Sequence, residues 1–414
     1  MEVLNKARLA KDASRKLGIL SSVQKDKALE MMAKALEDNI PDLIAENKLD
    51  VSMAIKNGRH KALIDRLILN EERIKGMAEG LRVIRGLPDP VGEVITQWKR
   101  PNGMTIGQQR VPLGVVAIIY ESRPNVTADA IGLCIKTGNA VVLRGSSEAI
   151  HSNRAIVKVM ARAAYEAGIP EGAIGLIEDI RRESVGELVR LNGLIDVVVP
   201  RGGAGLIKAV TESATVPVIE TGVGNCHVYI DSECDLDMAV DITVNAKVQR
   251  PGVCNAAETL LIHKDVAKVV LPRIVDKLKE YGVEIRGCQL SLDIVPGISP
   301  ASIEDWDTEY LDYILAIKVV DSVDDAIDHI NKHGSGHSEA IITSNYFNAE
   351  KFLEQVDAAA VYVNVSTRFT DGFEFGFGAE LGISTQKLHA RGPMGLKELT
   401  TTKYIIRGNG QVRG

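Results

Sequence analysis

Cysteine is scarce in this 414-residue chain: Cys134, Cys226, Cys234, Cys254 and Cys288 make an odd count with no Cys-x-x-Cys spacing. A chain this long buries enough apolar surface to fold without disulfides, so a disulfide-built secreted domain is excluded. Long hydrophobic runs are missing too. The strand-like run from Val115 to Tyr120 falls far short of the roughly 18 apolar residues that span a bilayer. Basic charge is not in excess: 49 Lys and Arg face 55 Asp and Glu, a formal net charge of −6. That excludes the electrostatic footprint of a nucleic-acid scaffold. The opening MEVLNKARLAKDASRK alternates charged and apolar residues like an amphipathic helix and holds no apolar signal-peptide core. The expectation is a reduced, cytoplasmic protein that binds neither nucleic acid nor membrane.

Several motifs are absent as well. No Gly-x-x-x-x-Gly-Lys-Ser/Thr occurs, which removes a P-loop nucleotide site. There is no His-Glu-x-x-His, and the eight histidines do not combine with cysteine at zinc spacing. The nearest approach to the dinucleotide fingerprint, Gly203-Ala204-Gly205-Leu206-Ile207-Lys208, lacks its third glycine.

What is present is ordinary globular composition, 45% hydrophobic and 25% charged, long enough for two or three domains. The first ninety residues read mostly as helix. Leu29, Met32, Leu36 and Ile40 recur at helical spacing, and Ser21-Ser22-Val23-Gln24 offers a capping box ahead of them. From Val94 to Val111 two extended runs flank Pro101-Asn102-Gly103, a hairpin signal. An isolated hairpin is marginal, so it is either an arm that pairs with another subunit or a surface flap. Beyond Gly114, short β-branched runs (115–120, 140–143, 195–199, 216–219) alternate with helical stretches such as 152–167. A second series follows at 259–262, 314–320, 340–343 and 361–363, with a capped helix starting at Ser322. Such alternation predicts mainly parallel sheets with helices on both faces. Two α/β lobes follow, with the chemistry expected at their junction, near the Gly-rich stretch 222–252.

The strongest local signal is Gln249-Arg250-Pro251-Gly252-Val253-Cys254-Asn255. A cysteine after a Pro-Gly turn, entering the helix-like AAETLL, stands where backbone N–H groups and a helix dipole favour a thiolate. Locally, a nucleophile and a small buried hydrophobe both satisfy the pattern. Cys134, on the apolar face of ADAIGLCIK, reads as core, and the other three cysteines read as structural or incidental. His329, His333 and His337 sit four apart, but the helix is expected to stop at Gly334, which spoils a metal site.

Three segments carry a resemblance: VPLGVVAIIYESRPNVTADA from Val111, VQRPGVCNAAETLLIH from Val248 and VDDAIDHINKHGSGHSEAI from Val323. Together they resemble the aldehyde dehydrogenase superfamily over essentially the whole chain, the third being particular to its acyl-phosphate-reducing branch. The resemblance implies two Rossmann-like α/β lobes of the aldehyde dehydrogenase type plus a small β oligomerisation arm. It implies a cofactor-binding domain over 1–93 and 112–222, a catalytic domain over 223–386, and an arm from 94–111 and 398–414. The implied reaction is NADPH-dependent reduction of L-glutamyl 5-phosphate to glutamate 5-semialdehyde in proline biosynthesis. An acylating relative that takes a CoA thioester remains the alternative. A cysteine acyl-transferase or hydrolase without dinucleotide, and a non-catalytic scaffold, are the rivals from other classes; Cys254 and Asn125, both present, speak against the scaffold.

The resemblance also assigns residues. Cys254 matches the nucleophile, and Asn125 the amide that joins the Cys254 N–H in the oxyanion hole. Arg144 stands where relatives keep a lysine beside the adenosine ribose. Ser147, three residues on, replaces the glutamate of NAD-preferring relatives, which favours NADP(H); Glu148 is its one-residue rival. Gly202, Gly203 and Gly205 match a loop that passes the pyrophosphate, and Glu309 a glutamate on the nicotinamide ribose, the bland reading being an exposed acid. Arg123, Arg250 and Arg368 are candidates for holding the phosphate and α-carboxylate, with surface ion pairs as the bland reading. Glu220 falls where oxidising relatives keep a water-activating base; an acyl-phosphate reductase needs no such water, so it reads as a structural carboxylate. No metal is implied. The expected partners are the small-molecule substrate, further copies of the chain in a homo-oligomer (a dimer or tetramer), and the glutamate kinase that makes the labile acyl phosphate.

Overall fold

The computed structural model describes the backbone of residues 1–413 and the side chains in that span other than those at 61 and 62. The chain divides into two compact units, one of Met1–Thr221, Gly376–Gly382 and Met394–Gly414, the other of Gly222–Phe375 and Ile383–Pro393. Both units are α/β with parallel sheets.

The first unit opens with helices Glu2–Leu17, Ser22–Asp38, Ile40–Lys56 and Glu71–Gly86. The capping box forms as its residues predict: the Ser21 hydroxyl accepts from the Gln24 N–H, and the Gln24 side chain accepts from Ser21 N–H at 3.1 Å. The hairpin strands β1 (Val94–Lys99) and β2 (Thr105–Pro112) pair antiparallel around the Pro101-Asn102-Gly103 turn. The core sheet follows as β3 (Val115–Tyr120), β4 (Ala140–Arg144), β5 (Ile174–Leu176) and β6 (Val197–Arg201), in the order β5-β4-β3-β6. All six residues of β3 are buried, as an unbroken apolar run in a two-sided parallel sheet requires. Helices Asn125–Lys136 and Ile150–Glu166 pack in this unit, and Cys134 is fully buried core. The run 216–219 does not become a strand. It makes a single bridge, Val198 to Val218, beside β6, because Pro217 in its middle has no N–H to extend the ladder.

The second unit carries seven parallel strands. In chain order they are β7 (Cys226–Ile230), β8 (Ala257–His263), β9 (Glu284–Gly287), β10 (Ser299–Pro300), β11 (Ile314–Val320), β12 (Ser338–Ile342) and β13 (Ala360–Val363). In space they run β10-β9-β11-β8-β7-β12-β13. Helices Leu236–Val248 and Lys264–Glu280 pack with it, and helix Val323–His333 starts on a Ser322 cap that accepts from the Asp325 N–H. Such a cap contributes about 1 kcal/mol. Two short strands, β14 (Ile383–Ser384) and β15 (Gly392–Pro393), pair with each other.

The last strand, β16 (Thr400–Arg407), returns to the first unit and pairs antiparallel with β2, giving a three-stranded sheet β1-β2-β16. Trp98 and Tyr404 meet edge-to-face at 6.3 Å, and every residue of β1 is exposed.

Candidate active site

Parallel pairing brings the segments that enter neighbouring strands of the second unit to one end of its sheet. Gly224 precedes β7, Cys254 precedes β8 and Glu309 lies ahead of β11. The residues after Cys254 differ from expectation. AAETLL is not a helix: Ala257–His263 is β8, flanked by β7 and β11, so the segment that follows Cys254 offers no helix N-terminus to the sulfur. Sheet neighbours on both sides override the helical propensity of Ala, Glu and Leu.

The Cys254 backbone is seated by close packing. A Cβ at Gly224 would overlap the Cys254 carbonyl and stand 2.5 Å from its Cα. The Gly224 N–H donates to Glu309 Oε1 at 2.7 Å. The half-buried Glu309 is therefore no idle surface acid; burial raises its pKa, and the Gly224 N–H partly offsets that. On the other flank the Cys226 thiol, pushed up by burial, donates to Cys254 O at 3.1 Å. Asn255 Nδ2 donates to Thr370 O at 2.9 Å, and Thr367 Oγ1 donates to Asn255 O at 2.7 Å. These bonds dock the turn Thr367–Phe369 beside the cysteine, and with it Arg368.

Arg368 donates through Nε to Gln249 Oε1 at 2.9 Å. Burial lowers its pKa first, neighbouring Arg250 lowers it further, and the charge of Cys254 raises it. Two of the three candidate arginines thus lie with the cysteine, where positive charge favours an anion on sulfur or on an acyl oxygen. Four sequence candidates meet here: Cys254, Glu309, Arg250 and Arg368. The sequence assigns no role at the site to Gly224, Cys226 or Asn255; the first two fall in the Gly-rich stretch 222–252, and Asn255 closes the Gln249–Asn255 motif.

Behind Glu309 lies a buried ion pair. Lys247 Nζ meets Glu258 Oε2 at 2.5 Å, both side chains wholly buried. Desolvation pushes Glu258 up to about 7 and Lys247 down. His329 and His333 occupy helix Val323–His333 with rings 4.6 Å apart, and the helix ends at Gly334, leaving His337 outside it. His329 Nδ1 faces Lys318 Nζ at 3.0 Å, and His333 Nδ1 meets Asp307 Oδ1 at 2.8 Å. No metal-binding group of three or more occurs among the described residues.

The remaining candidates belong to the first unit. Asn125 is exposed at the start of its helix, and its Nδ2 donates to Asp129 Oδ2 at 3.3 Å. Arg123 is exposed, and Glu220 is half-buried. Arg144 is turned inward rather than presenting a free fork. Its Nε donates to Ser184 Oγ at 3.0 Å, its Nη1 to Gly145 O, and its Nη2 to the carbonyls of Ile180 at 2.9 Å and Arg181 at 3.1 Å. Ser147 is exposed in a short 3-10 turn. Glu148 accepts from Ser122 Oγ at 2.6 Å and pairs with Arg59 at 2.5 Å.

The turn Gly202-Gly203 bears on whether a dinucleotide fits this unit. The Gly203 N–H donates to Glu121 Oε2 at 3.2 Å, and a Cβ at Gly202 would stand 2.6 Å from Glu121 Cδ. An anionic oxygen is what this helix start takes, so a pyrophosphate oxygen fits there once Glu121 is displaced. Gly205 stands in open space, so sterics alone do not require glycine at that position.

The sequence profile of the aldehyde dehydrogenase family matches residues 1–313 and 300–405. The chain belongs to the aldehyde dehydrogenase family. It is 62% identical to "Gamma-glutamyl phosphate reductase" of Thermoanaerobacter pseudethanolicus over 413 residues, all of both chains. It is equally 62% identical to the protein of that name from Carboxydothermus hydrogenoformans, again over all of both. The crystal structure of γ-glutamyl phosphate reductase from Thermotoga maritima superposes with a TM-score of 0.99 at 51% identity, covering both chains in full. An acetylating aldehyde dehydrogenase from Geobacillus thermoglucosidasius shares the fold, with a TM-score of 0.70 at 20% identity, covering all of this chain and 98% of its own. This family member is an oxidoreductase, and no described helix is long and apolar enough to cross a membrane.

Proposed function

We propose that this chain reduces L-glutamyl 5-phosphate to L-glutamate 5-semialdehyde and phosphate, using NADPH and a thioester on Cys254. The observation that supports it most is the company of Cys254: a cysteine seated on Gly224, with Arg250 and Arg368 beside it. The names of the full-length relatives supply the substrate.

In this reading Cys254 Sγ, as thiolate, attacks the γ-carbonyl carbon. Negative charge moves onto the carbonyl oxygen, where the Cys254 N–H donates; the family resemblance gives the Asn125 amide the same role, and each such donor contributes about 3 kcal/mol. The carbon–oxygen bond to phosphate then breaks, leaving an acyl thioester and free phosphate. NADPH, when bound, would supply the hydride that makes the aldehyde's C–H bond, and breakage of the carbon–sulfur bond then returns the Cys254 thiolate. Arg250 and Arg368 hold the substrate's anionic groups, phosphate and α-carboxylate, since an arginine fork matches either; Arg123 stays a further candidate from the sequence. By the same family resemblance, the Gly202-Gly203-Gly205 loop would hold the cofactor's pyrophosphate and Glu309 its nicotinamide ribose. Glu220 keeps a structural role, since a water activated near the thioester would waste it.

The decisive assay follows absorbance with semialdehyde, NADP and phosphate. Reduction of NADP that depends on phosphate supports the reading. Reduction that depends on coenzyme A instead, or a reaction indifferent to dinucleotide, rejects it.

Ser147 governs the choice of cofactor. It is short, exposed and able to donate to a 2′-phosphate, while Arg144 contributes its charge and braces residues 180–184. Glu148 is tied to Ser122 and Arg59, which keeps its carboxylate engaged. Ser147→Glu is expected to raise KM for NADPH about tenfold or more by placing like charges together, with little change for NADH. Equal changes for both cofactors, or a wild type that prefers NADH, reject this placement. Association into a homo-oligomer belongs to the same reading, through the open edges of β1 and β16, where Val94, Ile95, Tyr404 and Ile406 are exposed.

A further inference from the structure

The buried ion pair of Lys247 and Glu258 calls for a reason. Lys247 lies in the last turn of helix Leu236–Val248 and Glu258 in β8, and neither side chain has any exposed surface. Two ions taken wholly out of water are a poor stability device, because desolvation consumes most of their attraction. Only one carboxylate oxygen of Glu258 is used by the lysine. The other, Oε1, accepts the backbone N–H of Leu311 at 3.1 Å.

Leu311 is the odd residue of the segment. Its φ is 54°, the left-handed region that a leucine seldom adopts. Its side chain is 42% exposed, so burial of the leucine is not what holds that conformation. The residue before it is pinned as well: the Tyr310 hydroxyl donates to Asp305 Oδ1 at 2.6 Å, and Lys247 Nζ lies 6.0 Å from the Tyr310 ring centroid. One residue earlier again, Glu309 meets the Gly224 N–H. Three consecutive residues are therefore tied down, two of them by the Lys247–Glu258 pair.

We propose that Glu258 is a positioning residue: neutralised by Lys247 on one oxygen, it holds the Leu311 N–H with the other, and so fixes the turn that aims the Glu309 carboxylate. This rests on the reading of Glu309 as a cofactor ligand. It explains why a costly ion pair is kept where two apolar side chains would pack. An apolar residue at 258 has no acceptor to offer Leu311, and an unpaired glutamate at that depth would not stay charged.

Two double variants separate this role from simple loss of an ion pair. Lys247→Met with Glu258→Gln keeps an acceptor oxygen for Leu311; Lys247→Met with Glu258→Leu does not. In the free proteins, hydrogen exchange at the Leu311 amide is expected to stay slow in the first and to speed up about tenfold or more in the second. The calorimetric Kd for NADPH is expected to stay near the wild-type value in the first and to rise about tenfold in the second, with kcat at saturating NADPH changing far less. Equal Kd values in the two variants, or a Kd that does not follow the amide, overturn the proposal. Glu309→Gln is measured alongside. If its Kd is unchanged, the cofactor reading of Glu309 has failed and the proposal falls with it. If Kd rises there but not in the Glu258→Leu pair, the positioning role alone has failed. Should both double variants fail to fold, wild type still decides: a Leu311 amide that exchanges as freely as an exposed turn overturns the proposal, and one protected like a strand amide supports it.

Discussion

Cys254→Ala is expected to leave a folded protein that has lost turnover by roughly 10⁴-fold or more, the scale seen when a covalent nucleophile is deleted. No other residue at this site supplies the attacking atom, so the loss is in kcat and not in binding. The fold is expected to survive because two of the contacts that seat Cys254 are made by its backbone. Its carbonyl accepts from Cys226, and its main chain packs on Gly224; both survive removal of the sulfur. The calorimetric Kd for NADPH is expected to stay within about threefold of wild type, a free-energy change below 1 kcal/mol. Cys134→Ala is the contrast: that thiol is wholly buried, so trimming it costs stability, about 1–3 kcal/mol, and leaves kcat alone. A Cys254→Ala protein with normal turnover would remove the thioester from the mechanism altogether.

The second large effect is expected at a residue with no side chain. Gly224→Ala puts a Cβ into the carbonyl group of Cys254, and the obstacle is backbone on both sides. Neither strand entry gives way cheaply. Gly224 N–H is held by Glu309, and Asn225 by Ser335 Oγ at 2.9 Å and by the carbonyls of Trp306 and His333, each at 2.8 Å. Across from it, Asn255 is held by Thr367 and Thr370. The expected outcome is a stability loss of about 2–4 kcal/mol, measured by denaturant titration. In whatever folds, kcat/KM is expected to fall about 100-fold, since an ångström of misplacement at a nucleophile costs that much. Wild-type stability together with wild-type kcat/KM would show that the two segments do not touch in solution.

The sequence alone determines the features that depend on neighbours a few positions apart. Ser21 and Gln24 form their capping box, and Ser322 caps its helix, because donor and acceptor lie within one turn of each other. The Pro101-Asn102-Gly103 turn closes its hairpin for the same reason, and the mostly apolar run Ile314–Val320, rich in Ile and Val, becomes a largely buried strand as such a composition favours. Cys254 stands out in the sequence as the candidate nucleophile by its Gln249–Asn255 motif, although the segment that follows it is a strand and not the expected helix. AAETLL became β8 because β7 and β11 lie on either side of it, while the run 216–219, beside β6 but interrupted by Pro217, stays at one bridge. Which strand lies beside which is decided by the whole chain. The same holds for what each site residue does. Arg144 spends its donors on carbonyls around position 180, Glu309 finds Gly224, and Glu258 reaches Leu311. Those partners lie far apart along the chain, so no spacing rule foretells them. The tertiary structure alone decided them, because a buried donor must find its acceptor wherever the fold has put one.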